Sequence, residues 1–388
     1  MTHEHLAIPN PVHSAALNAP ERIGLAHDGG NFTWRELSII ASEWAGALTV
    51  AGVKPGDRVA LAGQPSAEWV LALHALGWVG AIVVPLPHQA DDDELRHVLD
   101  ISGARRVLTV GDAGETKLSA RAVGDRPVWR RDELDPSGPL PERFWPLDEV
   151  RVVLLTSGTT TGQPQPVELT TAQLMFAAMG SAIRLGHHTN DRWLCCLPLN
   201  YVAGLSIMFR SAWLGITTVL HPQFNAPRVA RELASGQVTM VSLVPTMLER
   251  VLDACEPGVP FHPALRCILL GGAAAPESLL ERCRERRLPV SLTWGLTETA
   301  AQVATRNPGE LDTRDGVGPP LPFARVDRLP GDPHGDAALQ VRGPIAPAGR
   351  FRTRDLGHVD AAGCVHLEGR ADALIKSGGR AISPAELE

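Results

Sequence analysis

Residues 150–170, Val-Arg-Val-Val-Leu-Leu-Thr-Ser-Gly-Thr-Thr-Thr-Gly-Gln-Pro-Gln-Pro-Val-Glu-Leu-Thr, constrain the fold more than any other stretch. Val150–Leu155 is a short aliphatic, β-branched run, the pattern of a buried strand. The next seven residues, Thr156, Ser157, Gly158, Thr159, Thr160, Thr161 and Gly162, are all Gly, Ser or Thr. Such a backbone bends sharply and can turn its N–H groups and five hydroxyls onto one point, which makes a cradle for phosphate oxygens. Val167–Leu169 resumes an extended pattern, so the loop is pinned between two strands. A solvent-exposed hydroxyl-rich linker is the plainer alternative. The common nucleotide loop, Gly-x-x-x-x-Gly-Lys-Ser/Thr, is excluded, because no lysine lies between Lys117 and Lys376.

At 388 residues the chain can bury a substantial core in two or three subdomains. Its 44% hydrophobic and 20% charged content is that of an ordinary soluble globular protein. A net charge of −7 argues against a nucleic-acid or anionic-membrane partner. The cysteines, Cys195, Cys196, Cys255, Cys267, Cys283 and Cys364, form no Cys-x-x-Cys pair and have no histidine at zinc-site spacing. They read as free thiols of a reducing, cytoplasmic compartment. The polar N-terminus is not a signal peptide, and His3 and His5 read as idle terminal histidines. A homodimer is left open.

Thr33 followed by Glu36 forms a capping box, and Leu37, Ile40, Ala41, Trp44 and Leu48 then recur at helical spacing, so a helix is expected there. Arg58–Leu61 reads as a strand. Trp69 to Leu86 carries no formal charge over 18 residues, nearly the length of a membrane span. His74, Gly77 and Gly80, with no flanking Lys/Arg asymmetry, divide it instead into a helix over about 66–78 and a strand over 81–85. Helix at 91–102 and strand at 105–110 follow. This alternation predicts a parallel sheet between helix layers. Residues 111–149, rich in Pro, Asp and Arg, are expected to make a surface excursion.

Three later segments hold candidate chemistry. Arg210 is the lone charge in Leu197–Ser211. Buried, it must meet an internal carboxylate or an anionic ligand, and residue type alone favours the former. Tyr201, the only tyrosine, reads on its own as core. Thr293-Trp-Gly-Leu-Thr-Glu-Thr299 offers an aromatic face, hydroxyls and a carboxylate that could stack a base, meet phosphate and hold a hard cation, or simply start a helix. Asp355, in Thr353-Arg-Asp-Leu-Gly357, stands where a carboxylate could accept two ribose hydroxyls or cap a turn.

Thr156–Gln165 resembles the Thr-Ser-Gly-Thr-Thr-Gly-x-Pro-Lys loop of the adenylate-forming acyl-CoA synthetases. It departs by one extra Thr and by Gln165 in place of lysine. Phe32-Thr-Trp-Arg-Glu-Leu37, Gly52–Leu61 and Gly80–Leu86 resemble the N-terminal segment of the same superfamily. Leu197–Ser211, Ser242–Leu252 and Leu270–Pro276 are similar to the o-succinylbenzoate-CoA ligase branch, with Asn200-Tyr201 standing where Phe-His or a similar pair is usual.

The resemblance implies an α/β fold of two helix-flanked β-sheets over about 1–310 and a smaller β-rich subdomain over about 311–371. Together these would make a large N-terminal adenylation domain, residues 1–371. Residues 372–388 would be a hinge at Asp372 and a stub, with the small C-terminal domain and its adenylation lysine absent and turnover therefore impaired.

It also implies ATP-dependent, Mg²⁺-dependent activation of an aromatic carboxylic acid, by preference o-succinylbenzoate, to an acyl-adenylate, followed by transfer to coenzyme A. The alternatives are a ligase for a benzoate- or anthranilate-type acid and a non-catalytic adenylate-binding module.

By the same resemblance Thr156–Gly162, Gly272, Ala273, Ala274, Gly295, Thr297, Asp355 and Arg370 bind the nucleotide, with Trp294 beside adenine. Glu298 holds the metal. Thr156, Thr297 and Glu298 carry the catalytic role, and Tyr201, Arg210, Gly271 and Leu296 meet the acyl substrate.

Overall fold

In the computed structural model, which describes residues 6–111, 118–135, 138–156, 164–255, 259–311, 316–329 and 338–371 and the strands Ile375–Ser377 and Arg380–Ile382, the capping box opens the helix Trp34–Val50. The Thr33 hydroxyl accepts the Glu36 N–H at 3.2 Å, and the Glu36 carboxylate accepts the Thr33 N–H at 2.7 Å. Two donors that the helix start would leave orphaned are thereby satisfied. Leu37, Ala41, Trp44 and Leu48 face inward and are buried. The 18-residue uncharged run divides as expected, into the helix Ala67–Val79, capped by Ser66, and the strand Ile82–Pro85. Gly80 turns the chain between them at φ 87, a left-handed conformation glycine adopts without penalty. Every residue from Trp69 to Val79 is buried, and burial pushes His74 down to about 4, so its imidazole is neutral. No helix among the described residues is long and apolar enough to cross a membrane.

Two large sheets carry the first 305 residues. The first has spatial order Pro166–Thr170, Val150–Leu155, Ile82–Pro85, Arg58–Ala62, Arg106–Thr109, Val128–Arg130, and only its first strand is antiparallel. The second has eight strands in the order Ala301–Thr305, Val290–Leu296, Cys267–Leu270, Met240–Leu243, Arg192–Cys195, Thr217–Leu220, Ile23–His27, Gly30–Thr33. Its six central strands are parallel and its two edges antiparallel.

Strand alternation gives each sheet two apolar faces. Val59, Leu61 and Val83 of the first sheet and Trp193, Met240 and Leu269 of the second belong to one core between the sheets, while Ala60 and Val84, and Leu194 and Val241, enter two outer cores. Each large side chain so buried contributes about 1.5–3 kcal/mol. A four-stranded antiparallel sheet, Arg325–Arg328, Ala338–Arg342, Arg350–Val359 and Val365–Arg370, forms the smaller β-rich unit. The expected hinge residue Asp372 lies outside the described residues.

The expected surface excursion over 111–149 is corrected in part. Val128–Arg130 adds a parallel edge strand to the first sheet. Trp145 is 2% exposed, lies under the Arg151 guanidinium at 4.5 Å, and pairs across a short bridge with Ile8. A three-residue strand and a two-residue bridge are too short to show a period among Pro, Asp and Arg.

A buried polar cluster ties the amino ends of three strands of the second sheet. Asp191 accepts from Arg266 Nε at 2.7 Å and Nη2 at 2.5 Å, from the Thr239 hydroxyl at 2.9 Å and from the His188 N–H at 3.0 Å. These residues stand at or just before Arg192–Cys195, Met240–Leu243 and Cys267–Leu270, so the cluster fixes the relative register of the three strands.

Candidate active site

The carboxyl ends of the parallel strands converge on a cavity of about 630 Å³, closed on one side by the antiparallel strand Arg350–Val359. Its volume suits a small-molecule ligand, and the carboxyl edge of a parallel sheet is the usual place for one. Val150–Leu155 and Pro166–Thr170 form an antiparallel hairpin in which Thr156 N–H donates to the Gln165 carbonyl at 3.0 Å. Thr156 and Gln165 both reach the cavity wall. The hydroxyl-rich residues Ser157–Gly162 lie outside the described residues.

Val290–Leu296 enters the same wall and returns as Ala301–Thr305 through the short turn Thr297–Thr299. Gly295 permits this return: a Cβ there would lie 1.5 Å from the Ala301 carbonyl oxygen. Ala300 and Ala301 take φ of 54° and 91°, a region alanine rarely adopts, and the strain sits beside the cavity. The turn is held by Gln173, whose side-chain amide donates to the Glu298 carbonyl at 2.9 Å and to Ile345 O at 3.2 Å. Thr297 and Glu298 consequently line the cavity, with Gly271, Gly272 and Leu296 next to them. The Glu298 carboxylate forms no ion pair with the described residues, so its oxygens are available to a hard cation such as Mg²⁺. No cluster of three or more metal-ligating side chains occurs among the described residues, and a site built on one protein carboxylate is what this wall offers. Ala273 and Ala274, expected at the nucleotide, are exposed and do not line the cavity.

Trp294 is the residue expected beside adenine. It is 6% exposed, packs in the core between the sheets and is not on the cavity wall. Its indole N–H instead donates to Asp355 Oδ2 at 2.9 Å. Asp355 is itself buried, its other carboxylate oxygen lies 3.4 Å from Arg370 Nη1, and its N–H is held by the Thr353 hydroxyl at 3.1 Å. Asp355 and Arg370 are paired across adjacent strands, and Arg370 lines the cavity.

Helix Val202–Leu214 brings two more residues. Tyr201, at its N-cap, is 54% exposed on the cavity wall, not core. Arg210, also on the wall, is 2% exposed, and its Nε and Nη2 have no hydrogen-bond partner among the described residues. Its guanidinium carbon is 5.4 Å from the centroid of the Trp193 ring. Burial pushes its pKa down to about 10 and that of the nearby Cys267 thiol up to about 12, so at neutral pH the arginine is charged and the thiol is not. The internal carboxylate that residue type favoured is not found among the described residues. A buried cation on a cavity wall is what a carboxylate ligand would complete.

Arg352 and Arg354 also line the cavity, and neither was picked out in the sequence. The signal was present: arginines at 350, 352 and 354 alternate along one strand, which places them on one face. With Arg210 and Arg370 they place four arginines on the wall together with Glu298, and of these Arg370 is paired with Asp355. Cationic side chains on a cavity wall suit an anionic ligand.

The family described as AMP-binding enzyme matches residues 12–345. The 2-succinylbenzoate–CoA ligase of Geobacillus kaustophilus is 36% identical, over 98% of this chain and 81% of its own length. The o-succinylbenzoate CoA synthetase of Bacillus subtilis in complex with its acyl-adenylate intermediate matches with a TM-score of 0.90 at 32% identity, over 99% of this chain and 82% of that one. The same enzyme in complex with ATP and magnesium ion matches with a TM-score of 0.89 at 31% identity, over 99% and 84%.

Proposed function

The chain belongs to the AMP-binding enzyme family, and on that premise we propose that it activates 2-succinylbenzoate with ATP and passes the acyl group to coenzyme A. The observation that carries the substrate is Arg210, a buried cation on the cavity wall with no carboxylate partner among the described residues. A dicarboxylic acid keeps one carboxylate after the other is adenylated, and that remaining charge is the partner Arg210 lacks.

In the first step the substrate carboxylate attacks the α-phosphorus, and the bond to pyrophosphate breaks. In the second the coenzyme A sulfur attacks the acyl carbon and AMP leaves. The chain supplies position and charge in place of a covalent intermediate. Asp355, with Arg370 beside it, accepts the ribose hydroxyls. Thr297 donates to an α-phosphate oxygen, and Thr156 stands at the end of the loop that would cradle the outer phosphates. Gln165 brings no charge there, and Arg352 and Arg354 supply it from the facing strand. Glu298 would hold Mg²⁺, which when bound neutralises charge on the phosphates. Residues 1–371 are assigned to the adenylation domain. The six free cysteines and the co-substrates ATP and coenzyme A favour the cytoplasm.

Pyrophosphate release that requires both ATP and 2-succinylbenzoate is the expected activity. Glu298→Gln should lower its rate by roughly 10²-fold or more, with the deficit largest at low Mg²⁺. An unchanged rate and Mg²⁺ dependence would remove Glu298 from the metal site, and release that ignores the added acid would refute the substrate.

A further inference from the structure

Gln173 is 4% exposed and does not line the cavity, yet its side-chain amide joins the turn that carries Glu298 to two other segments of the chain. We propose that Gln173 is a positioning residue that sets this turn so that the Glu298 carboxylate faces the cation, an inference that rests on the assignment of Mg²⁺ to Glu298.

Gln173 Nε2 donates to the Glu298 carbonyl at 2.9 Å and to the Ile345 carbonyl at 3.2 Å. Its Oε1 accepts the Thr170 N–H at 3.1 Å and the Thr170 hydroxyl at 3.3 Å. A side-chain amide has two donors and two acceptor sites, so all four are occupied by the chain itself. The Oε1 contacts complete the capping box that starts the helix Thr171–Leu185. A cap alone would be served as well by Glu, which has no Nε2. The two donors reach residues 125 and 172 positions away, at the Glu298 turn and in the segment that leads to Arg350–Val359.

The turn needs a hold from outside. Ala300 and Ala301 follow it at φ of 54° and 91°, and backbone in that region persists only where its surroundings over-determine it. The Thr299 hydroxyl donates to the Leu296 carbonyl at 3.1 Å and accepts the Leu296 N–H at 3.2 Å, bonds that close the turn on itself without tying it to the helix layer. The bond from Gln173 does tie it. It fixes the peptide plane of Glu298, the residue whose carboxylate is on the cavity wall, from a buried side chain where water competes little.

The test reads ATP affinity by calorimetry with saturating Mg²⁺ and with EDTA in the wild type, Glu298→Gln, Gln173→Met, Gln173→Glu and Thr170→Ala, with melting curves to establish that each is folded. The ratio of the two affinities isolates the metal contact, because lost packing or a shifted Thr297 weakens both alike. The wild type should gain about tenfold or more from Mg²⁺, and Glu298→Gln should lose most of that gain. Gln173→Met, which fills the space flexibly without a donor, should bring the gain to within about threefold of the Glu298→Gln value. Gln173→Glu keeps the capping-box acceptor and removes both donors, so it should do the same, and it carries the test if Gln173→Met does not fold. Thr170→Ala breaks the same capping box from its other side, leaves the Nε2 bonds in place, and should keep the wild-type gain. The double variant of Glu298→Gln with Gln173→Met should gain no less than Glu298→Gln alone, as for two residues acting as a unit. The full wild-type gain in a folded Gln173 variant overturns the inference. Loss of the gain in Thr170→Ala overturns it too, because the helix cap would then account for the effect. A wild type that gains nothing from Mg²⁺, or Glu298→Gln with the full gain, overturns the metal assignment itself, and the inference with it.

Discussion

Asp191→Ala is expected to lower the free energy of unfolding by about 3 kcal/mol, the lower end of what losing one partner of a buried ion pair removes. The lower end applies because Arg266 keeps 21% of its side chain exposed and can be partly rehydrated, whereas Asp191 is 2% exposed. Four hydrogen bonds end on this carboxylate, so its loss also removes an acceptor from the Thr239 hydroxyl and the His188 N–H at the foot of the second sheet.

The effect has a defined pH dependence. Burial alone would raise the Asp191 pKa, but the Arg266 pair with the His188 and Thr239 bonds outweighs it and holds the carboxyl below its ordinary 3.8. A lowered folded pKa means stability present above pH 3.8 and lost as pH falls through the folded value, since the unfolded chain there binds more protons. Urea titrations of both proteins should differ most near neutral pH and converge in strong acid. A constant difference across that range would mean that packing, not the ion pair, is what the substitution removes.

Arg210→Met is expected to move stability and selectivity in opposite directions. The guanidinium is buried with no carboxylate partner among the described residues, and replacing it by an apolar side chain of similar length removes a desolvated charge, worth about 1–4 kcal/mol in favour of the variant. The same substitution removes the cation that answers the second substrate carboxylate, a loss of about 2–5 kcal/mol, or roughly 30- to 4,000-fold in preference for the dicarboxylic acid over benzoate. A melting temperature that rises while the preference collapses would identify a residue kept for binding at the expense of stability. A variant less stable than the wild type with its preference intact would make Arg210 structural.

The features legible in the sequence are those set by neighbours along the chain. The Thr33–Glu36 capping box, the Gly80 turn and the hairpin from Val150–Leu155 to Pro166–Thr170 each depend on a few adjacent residues, and each is where the sequence places it. The turn carrying Thr297 and Glu298 and the strand carrying Asp355 and Arg370 were recognised by motif, and Glu298, Thr297 and Arg370 do reach one cavity.

Contacts over long separations were not legible. Trp294 and Asp355 are 61 residues apart, and which way the indole turns depends on a register shift between Trp294 and Gly295 that no local pattern announces. Arg210 shows the same limit from the other side: residue type favoured an ion pair, and only the assembled core shows a neutral thiol and an indole face where the carboxylate would have been. The alternation of Arg352 and Arg354 is local and legible, whereas the packing that turns their strand toward the cavity is not.

The reading of the cavity as a site for an acyl-adenylate with a second carboxylate is tested most directly by titrating the protein with two stable acyl-sulfamoyl-adenosines, one bearing the 2-succinylbenzoyl group and one the benzoyl group. Both present the adenosine, and neither requires turnover. The 2-succinylbenzoyl compound should bind tighter by roughly 30-fold or more in the wild type, the lower bound for one charge pair completed in a buried site. Arg210→Met should bind the two alike. Equal affinities in the wild type would contradict the assignment of Arg210 and of the dicarboxylic substrate together.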